Sequence, residues 1–299
     1  MQVAVLYTVV VLIWGSTWAA IPYQFGVVAE EVTVAYRFAI GAAVLCLYAL
    51  ASGRTLRLSL RHYPMIILQG LFLFSINYFP IYYATGYITT GLIAVTFSLI
   101  VAINAFFERV FFGVPLEGRL LIASLIGIVG IAFIFWPEVT TLSLRDRSIY
   151  GLLLVVVGVV TASLGNMAAV VNTGRGLPVV AVNAHGMAWG ALFSALVATV
   201  LGREFNFSYE PGFIWSLLFL GVFGSAIAFG SYLALIRKIG SARAAYTSVL
   251  FPVVALAIST VVEDYQWSSL AIIGVTLTLA GNWLVLKRTE RPSQQAEQE

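Results

Sequence analysis

Apolar residues in this chain come in long unbroken runs, not in the one-sided stripes of a soluble helix. Runs of about 20 residues fall near 3–21, 32–51, 64–83, 90–107, 119–136, 149–171, 179–200, 212–236, 244–262 and 268–286. At about 1.5 Å per residue, each approaches the roughly 30 Å hydrocarbon thickness of a bilayer. The pattern predicts an all-α integral membrane fold of ten transmembrane helices. The clearest run, inside 240–264, is free of charge from 244 to 262 and carries Pro252 near its middle. Proline removes a backbone donor and displaces the carbonyl four residues back, here that of Ser248, so a kink is expected. Pro80 predicts a second kink in the third run. The first run lacks the basic start of a signal peptide and corresponds to an internal run in the second half, so it is read as the first span.

The runs repeat. A shift of 151 residues lays Ala94, Thr96 and Leu99 on Ala245, Thr247 and Leu250, and Gly130 on Gly281. A shift of 149 lays Gly41-Ala42 on Gly190-Ala191, Gly53-Arg54 on Gly202-Arg203 and Ala19-Ala20 on Ala168-Ala169. This divides the chain into a first repeat over 1–147, a second over 148–289 and a polar tail over 290–299 expected to be disordered. Five spans per repeat is an odd number, so the second repeat must enter the membrane with opposite orientation. Pro252 aligns with Val101, and on that basis its kink is not expected to be duplicated.

Composition agrees with a membrane protein: 61% of residues are hydrophobic and 10% charged, against about 25% charged in soluble domains. The net charge of +3 comes from Arg and Lys scattered over connectors, so no nucleic-acid face is formed. Of the 16 Arg and Lys, 12 fall in the connectors and tail on one side and only Arg145, Arg147 and Arg203 on the other. The positive-inside rule then puts both termini in the cytoplasm and the chain in the inner (plasma) membrane. Cys46 is single, so no disulfide or thiolate metal site arises from this chain. His62 and His185 are the only histidines, and no Walker-type glycine loop occurs, so neither a metal or other cofactor nor an enzymatic role is expected.

Polar and aromatic residues within the spans are the candidates for a binding site. Trp14 and Trp18 share a face of the first run; Asn77, Tyr78 and Tyr82 lie in the third; Asn166 in the sixth; His185 and Trp189 in the seventh; Ser225 and Phe229 in the eighth; Tyr246 and Ser248 in the ninth. The aromatics either face a cavity or anchor the interface, and the amides and His185 either line a site or bond between helices. Arg37, the one guanidinium well inside a span, either meets a substrate carboxylate or snorkels to a neighbour's carbonyls. No Asp or Glu occupies the middle of a span, which favours uniport or exchange over proton coupling; only His185 offers a titratable substitute. A cavity is expected between the third and fourth runs of one half and the eighth and ninth of the other, with the first and sixth completing it.

The segments IWGSTWAAIP, Arg37-Phe38, ATGYITTGLIAVTFSLIVAINAFF with its second copy IRKIGSARAAYTSVLFPVVALAISTVVED, and GVTLTLAGNWLV resemble the two EamA-type repeats of the drug/metabolite transporter superfamily. The resemblance implies alternating access around a central cavity and export of small metabolites. Within that superfamily the chain resembles bacterial exporters of aromatic and hydrophobic amino acids, with the small-molecule substrate and the bilayer as partners and a monomer as working unit. A sugar or nucleotide-sugar carrier and a proton-coupled drug exporter are the competing readings.

Overall fold

The computed structural model describes residues 2–24, 26, 28–140, 147–262 and 267–286, and among them every regular element is helical. The tail over 290–299 and the acid pair at 263–264 lie outside the described residues. The helices are α1 (Gln2–Ala20), α2 (Glu30–Ala51), α3 (Tyr63–Leu71, Phe72–Ile76 and Tyr78–Ala84), α4 (Thr90–Phe97 and Ile100–Phe112) and α5 (Gly118–Ile134). After the short helix Trp136–Thr140 come α6 (Ser148–Gly174), α7 (Val179–Val200) and α8 (Pro211–Phe219, Leu220–Ile227 and Ala228–Ile239). The last two are α9 (Ser241–Ala245, Tyr246–Leu250 and Phe251–Val262) and α10 (Ser269–Leu286). Among the described residues seven helical stretches are long and apolar enough to cross a membrane; Gln2–Thr17, Gly118–Ile134 and Ser269–Val285 are shorter apolar helices.

Irregular turns occur in matching places of the two halves. α3 contains a π-helical segment at Phe72–Ile76 and α8 another at Leu220–Ile227. α4 breaks and resumes at Ile100, and α9 tightens into a 3-10 turn and resumes at Phe251, 151 residues later. The expectation that the kink at Pro252 has no counterpart at Val101 is therefore corrected: both helices are interrupted, one with a proline and one without. Side-chain hydroxyls are the shared cause. Thr96 Oγ1 donates to Leu92 O at 2.8 Å and Ser98 Oγ to Val95 O at 2.6 Å in α4; Thr247 Oγ1 donates to Ala244 O at 2.8 Å and Ser248 Oγ to Ala245 O at 2.7 Å in α9. Such bonds take up carbonyls released where the ladder changes, which an apolar medium requires. Pro80 and Pro252 each fall in the first turn of a resumed segment, where a missing N–H costs little.

Helix ends repeat as well. Gly53 and Gly202 end α2 and α7 at φ of 64° and 66°, and the next residue in each case, Arg54 or Arg203, bonds five residues back at 2.8 Å. This is the glycine-terminated cap that the paired Gly-Arg dipeptides encode.

The most extensive helix pairs are α5 with α10, α3 with α6 and α2 with α7. Between lipid-embedded helices there is little hydrophobic gain to be had, so small residues that allow close approach decide the contacts. A Cβ on Gly130 would lie 2.7 Å from Gly274 O, and one on Gly274 would lie 2.5 Å from Gly130 O. Polar ties mark the two ends of the bundle. Where α1 starts, Lys238 Nζ donates to Gln2 Oε1 at 3.1 Å, Arg243 pairs with Glu117, and Glu108 Oε1 accepts from both the N–H and the hydroxyl of Ser241 at 2.7 Å. At the opposite end the fully buried Glu31 accepts from the Tyr83 hydroxyl and faces Arg203 at 3.4 Å.

Candidate functional site

α1, α3, α4, α6, α8 and α9 surround one cavity of about 190 Å³, to which α2 adds Arg37. It runs from Ile21 and Thr85, just past the ends of α1 and α3, inward to Asn166 and Tyr232. Of the residues marked in the sequence, Trp14, Arg37, Asn77, Tyr78, Tyr82 and Asn166 line it together, with Phe229 and Ser248.

Tyr246, His185, Trp189 and Ser225, also marked, lie outside that lining, Ser225 meeting it only through its bond to Arg37. Tyr246 is wholly buried, its hydroxyl donating to Ala123 O at 2.8 Å in a gap left by Gly127 and Gly281. It is a packing wedge between α9, α5 and α10. His185 bonds Ala181 O through Nδ1 at 2.9 Å and stands edge-on to Tyr63 with ring centroids 5.5 Å apart. Trp189 packs beside Gly70 and Phe193. Both belong to the α3–α7 face, where the four-residue spacing of His185 and Trp189 serves helix contact.

The aromatic wall is built around Trp14. Its ring meets Phe229 at 4.8 Å, Tyr232 at 5.1 Å and Phe251 at 5.5 Å between centroids. The geometry is edge-to-face or tilted, as ring quadrupoles prefer. The π segment of α8 fixes the indole: the Ala228 N–H bonds the carbonyls of Phe223 and Ser225, passing over Gly224, whose oxygen accepts from Trp14 Nε1 at 2.9 Å. A widened turn thereby becomes a place to hold a side chain from another helix. Tyr232 and Phe251 do not stand out in the sequence; Tyr232 lies three residues from Phe229 on the same helix face, and that spacing is the signal that marks it.

The polar wall is built around Arg37. The side chain is 5% exposed, and its Nε donates to Ser225 Oγ at 3.0 Å in the same π segment. The guanidinium carbon lies 5.2 Å from the Tyr78 ring centre and 5.5 Å from that of Phe38. Gly224 leaves room for it, since a Cβ there would come within 3.4 Å of Arg37 Nη2. No carboxylate among the described residues forms an ion pair with Arg37. The charge is held by ring faces and by the Ser225 and Tyr82 hydroxyls, and the remaining guanidinium N–H groups are strong donors for an incoming anion.

The amides complete the site. In the orientation its surroundings require, the Asn77 amide nitrogen donates to the π-segment carbonyls of Phe72 at 2.9 Å and Leu73 at 3.3 Å. Its oxygen is then the group left to accept. Asn166 Nδ2 donates to Asn104 Oδ1 at 3.3 Å, and Asn104 Nδ2 to Ser241 O at 3.3 Å. Asn166 is 1% exposed, and its Oδ1 has no hydrogen-bond partner.

Comparison with known proteins accounts for the arrangement. The model of the EamA-like transporter family matches residues 2–136 and again 149–287. The chain is 24% identical over 281 residues to the uncharacterized transporter YoaV of Bacillus subtilis (strain 168), covering 91% of this chain and 92% of that protein. An uncharacterized transporter of Archaeoglobus fulgidus is 22% identical over 288 residues, covering 95% and 98%. A crystal structure of a protein 20% identical superposes with a TM-score of 0.78 over 95% of this chain and 96% of the other, which establishes the shared fold. With two family matches spread over nearly its whole length, the chain is a multi-pass membrane protein and belongs to the EamA-like transporter family.

Proposed function

We propose that this transporter exports aromatic and hydrophobic amino acids from the cytoplasm by alternating access through the cavity around Trp14 and Arg37, as a uniporter or exchanger. The observation that carries the reading is the buried Arg37 guanidinium, a cavity-lining cation with no acid bound to it among the described residues. It supplies a carboxylate site. The Asn77 oxygen, with the Tyr78 and Tyr82 hydroxyls nearby on the same helix, supplies acceptors for an ammonium group, and the Trp14 box takes an apolar or aromatic side chain. Size supports a small substrate: 190 Å³ falls below the range of about 300–1,000 Å³ usual for drug-sized ligands. A nucleotide sugar would need more volume and more cations than Arg37 alone.

The same reading takes the chain as ten spans in two inverted halves, 1–147 and 148–289, with both termini in the cytoplasm of a monomer in the inner membrane. Matching irregularities in α3 and α8 and in α4 and α9 support it, as does helix pairing: α1 packs on α8 as α3 does on α6, and α2 with α7 and α5 with α10 are self-equivalent pairs. Among the described residues that line the cavity there is no carboxylate or histidine to carry a proton, which supports movement without proton coupling. The test is counterflow of radiolabelled amino acids, sugars and nucleosides in reconstituted vesicles. Aromatic and hydrophobic amino acids should exchange and the sugars and nucleosides should not; uphill accumulation driven by an imposed pH gradient would refute the coupling assignment.

A further inference from the structure

Buried amide oxygens without a partner are uncommon because each forfeits a hydrogen bond it had in water. Asn166 carries one on the wall of the cavity. Its place along the bundle decides what it can meet. α6 lies along α3 so closely that a Cβ on Gly158 would touch Asn77 O at 3.1 Å, and one on Gly165 would touch Leu73 N at 2.7 Å. Asn166 therefore stands near the level of Leu73, whereas Arg37 sits against Tyr78. Five residues of helix separate those levels by roughly 7 Å.

An α-amino acid carries its carboxylate and ammonium on one carbon, so both must bind at the Arg37 level and neither reaches Asn166. What arrives at Asn166 is the tip of the side chain, after it has passed the Trp14, Phe229 and Tyr232 rings. The Nδ2 of the same amide is already committed to Asn104, which fixes the oxygen as the free end.

Resting on the amino-acid reading above, we infer that Asn166 Oδ1 is a specificity-determining acceptor that selects aromatic amino acids bearing a hydrogen-bond donor at the ring tip, an indole N–H or a phenol O–H, over plain phenyl side chains. A site that leaves an acceptor unpaired with the wrong substrate discriminates far more strongly than one that merely fits an apolar surface. The phenyl substrate would bury the Asn166 oxygen without relief, while a donor satisfies it.

The experiment measures KM and kcat in reconstituted vesicles for two substrate pairs, tyrosine against phenylalanine and tryptophan against 1-methyltryptophan, which lacks the indole N–H. Wild type should favour the donor-bearing member of each pair by roughly tenfold or more in kcat/KM. Asn166→Leu should bring both ratios close to one, and Asn166→Asp, which keeps acceptor oxygens, should preserve a preference. Because wild-type ratios alone test the inference, a variant that fails to fold does not shield it. Transport of all four substrates with ratios near one in wild type overturns the inference and leaves the amino-acid reading standing. Unchanged ratios in Asn166→Leu overturn it too, whereas no transport of any aromatic amino acid removes the underlying reading itself.

Discussion

Replacing Arg37 by Met separates a binding role from a structural one, because the first predicts little change in stability and the second a large loss. The side chain is 95% buried, bonds Ser225 at 3.0 Å and the Tyr82 hydroxyl, and has no ion-pair partner among the described residues. Burying a charge without a partner is costly, and replacing it by an apolar chain of similar length is commonly neutral or stabilising. The lost bond to Ser225 works the other way by about 1–3 kcal/mol, so the net effect on folding should be small. Substrate binding has no such compensation. A hydrogen bond to a charged group contributes about 1.5–3 kcal/mol, which corresponds to roughly 10- to 100-fold in affinity. Arg37→Met should therefore raise KM for an aromatic amino acid by that factor while leaving detergent-phase melting within a few degrees of wild type. It should have little effect on a decarboxylated amine of the same ring. The assay pairs vesicle uptake with fluorescence-detected size exclusion after heating. A large drop in melting temperature with equal losses for acid and amine would refute the reasoning and assign Arg37 to helix packing.

Ser225→Ala should raise KM for amino acids several-fold without changing kcat, since Arg37 loses its orienting bond but keeps its charge; equal KM values in a titration of uptake rate would count against the π segment as its support. Trp14→Phe, which keeps a ring but loses the bond to Gly224 O, should weaken transport less than Trp14→Ala, and the order of the two uptake rates checks this. Gly130→Val should lower thermal stability markedly, because its Cβ would fall 2.7 Å from a backbone oxygen that cannot yield. Glu108→Ala removes the acceptor for two Ser241 donors at the start of α9, so the backbone amide of Ser241 should exchange with deuterium faster in the variant than in wild type, and equal exchange would count against the tie.

Much of the fold was legible because a bilayer leaves few choices. Apolar runs long enough to span must be helical, so helix positions followed from run length alone, and the Gly53-Arg54 and Gly202-Arg203 matches carried through to identical caps. The π segments were not legible. FLFSI contains nothing that breaks a helix by propensity, and the two glycines of LGVFGSAI weaken a helix without specifying a widened turn; the turns accompany tertiary demands, the Trp14 indole claiming the Gly224 carbonyl and the Asn77 amide claiming those of Phe72 and Leu73. Proline misled in the opposite direction, since it marked the break in α9 and was silent on the one in α4 that hydroxyls make.

The cavity residues divide along the same line. Trp14, Asn77, Tyr78, Tyr82, Asn166 and Arg37 stand out as polar or aromatic groups where lipid offers them nothing, and six such groups converge on one space. The same criterion selected His185, Trp189 and Tyr246, whose needs are met by a carbonyl, a glycine-lined groove and a neighbouring helix. Sequence can flag a side chain that lipid would reject, but it cannot say whether protein has already satisfied it. Asn166 and Tyr246 make the contrast: both are buried, both bond another helix, and only in Asn166 is one polar atom left over on the cavity wall. That residue of unmet bonding, invisible until the partners are placed, is what separates a candidate contact for substrate from a strut.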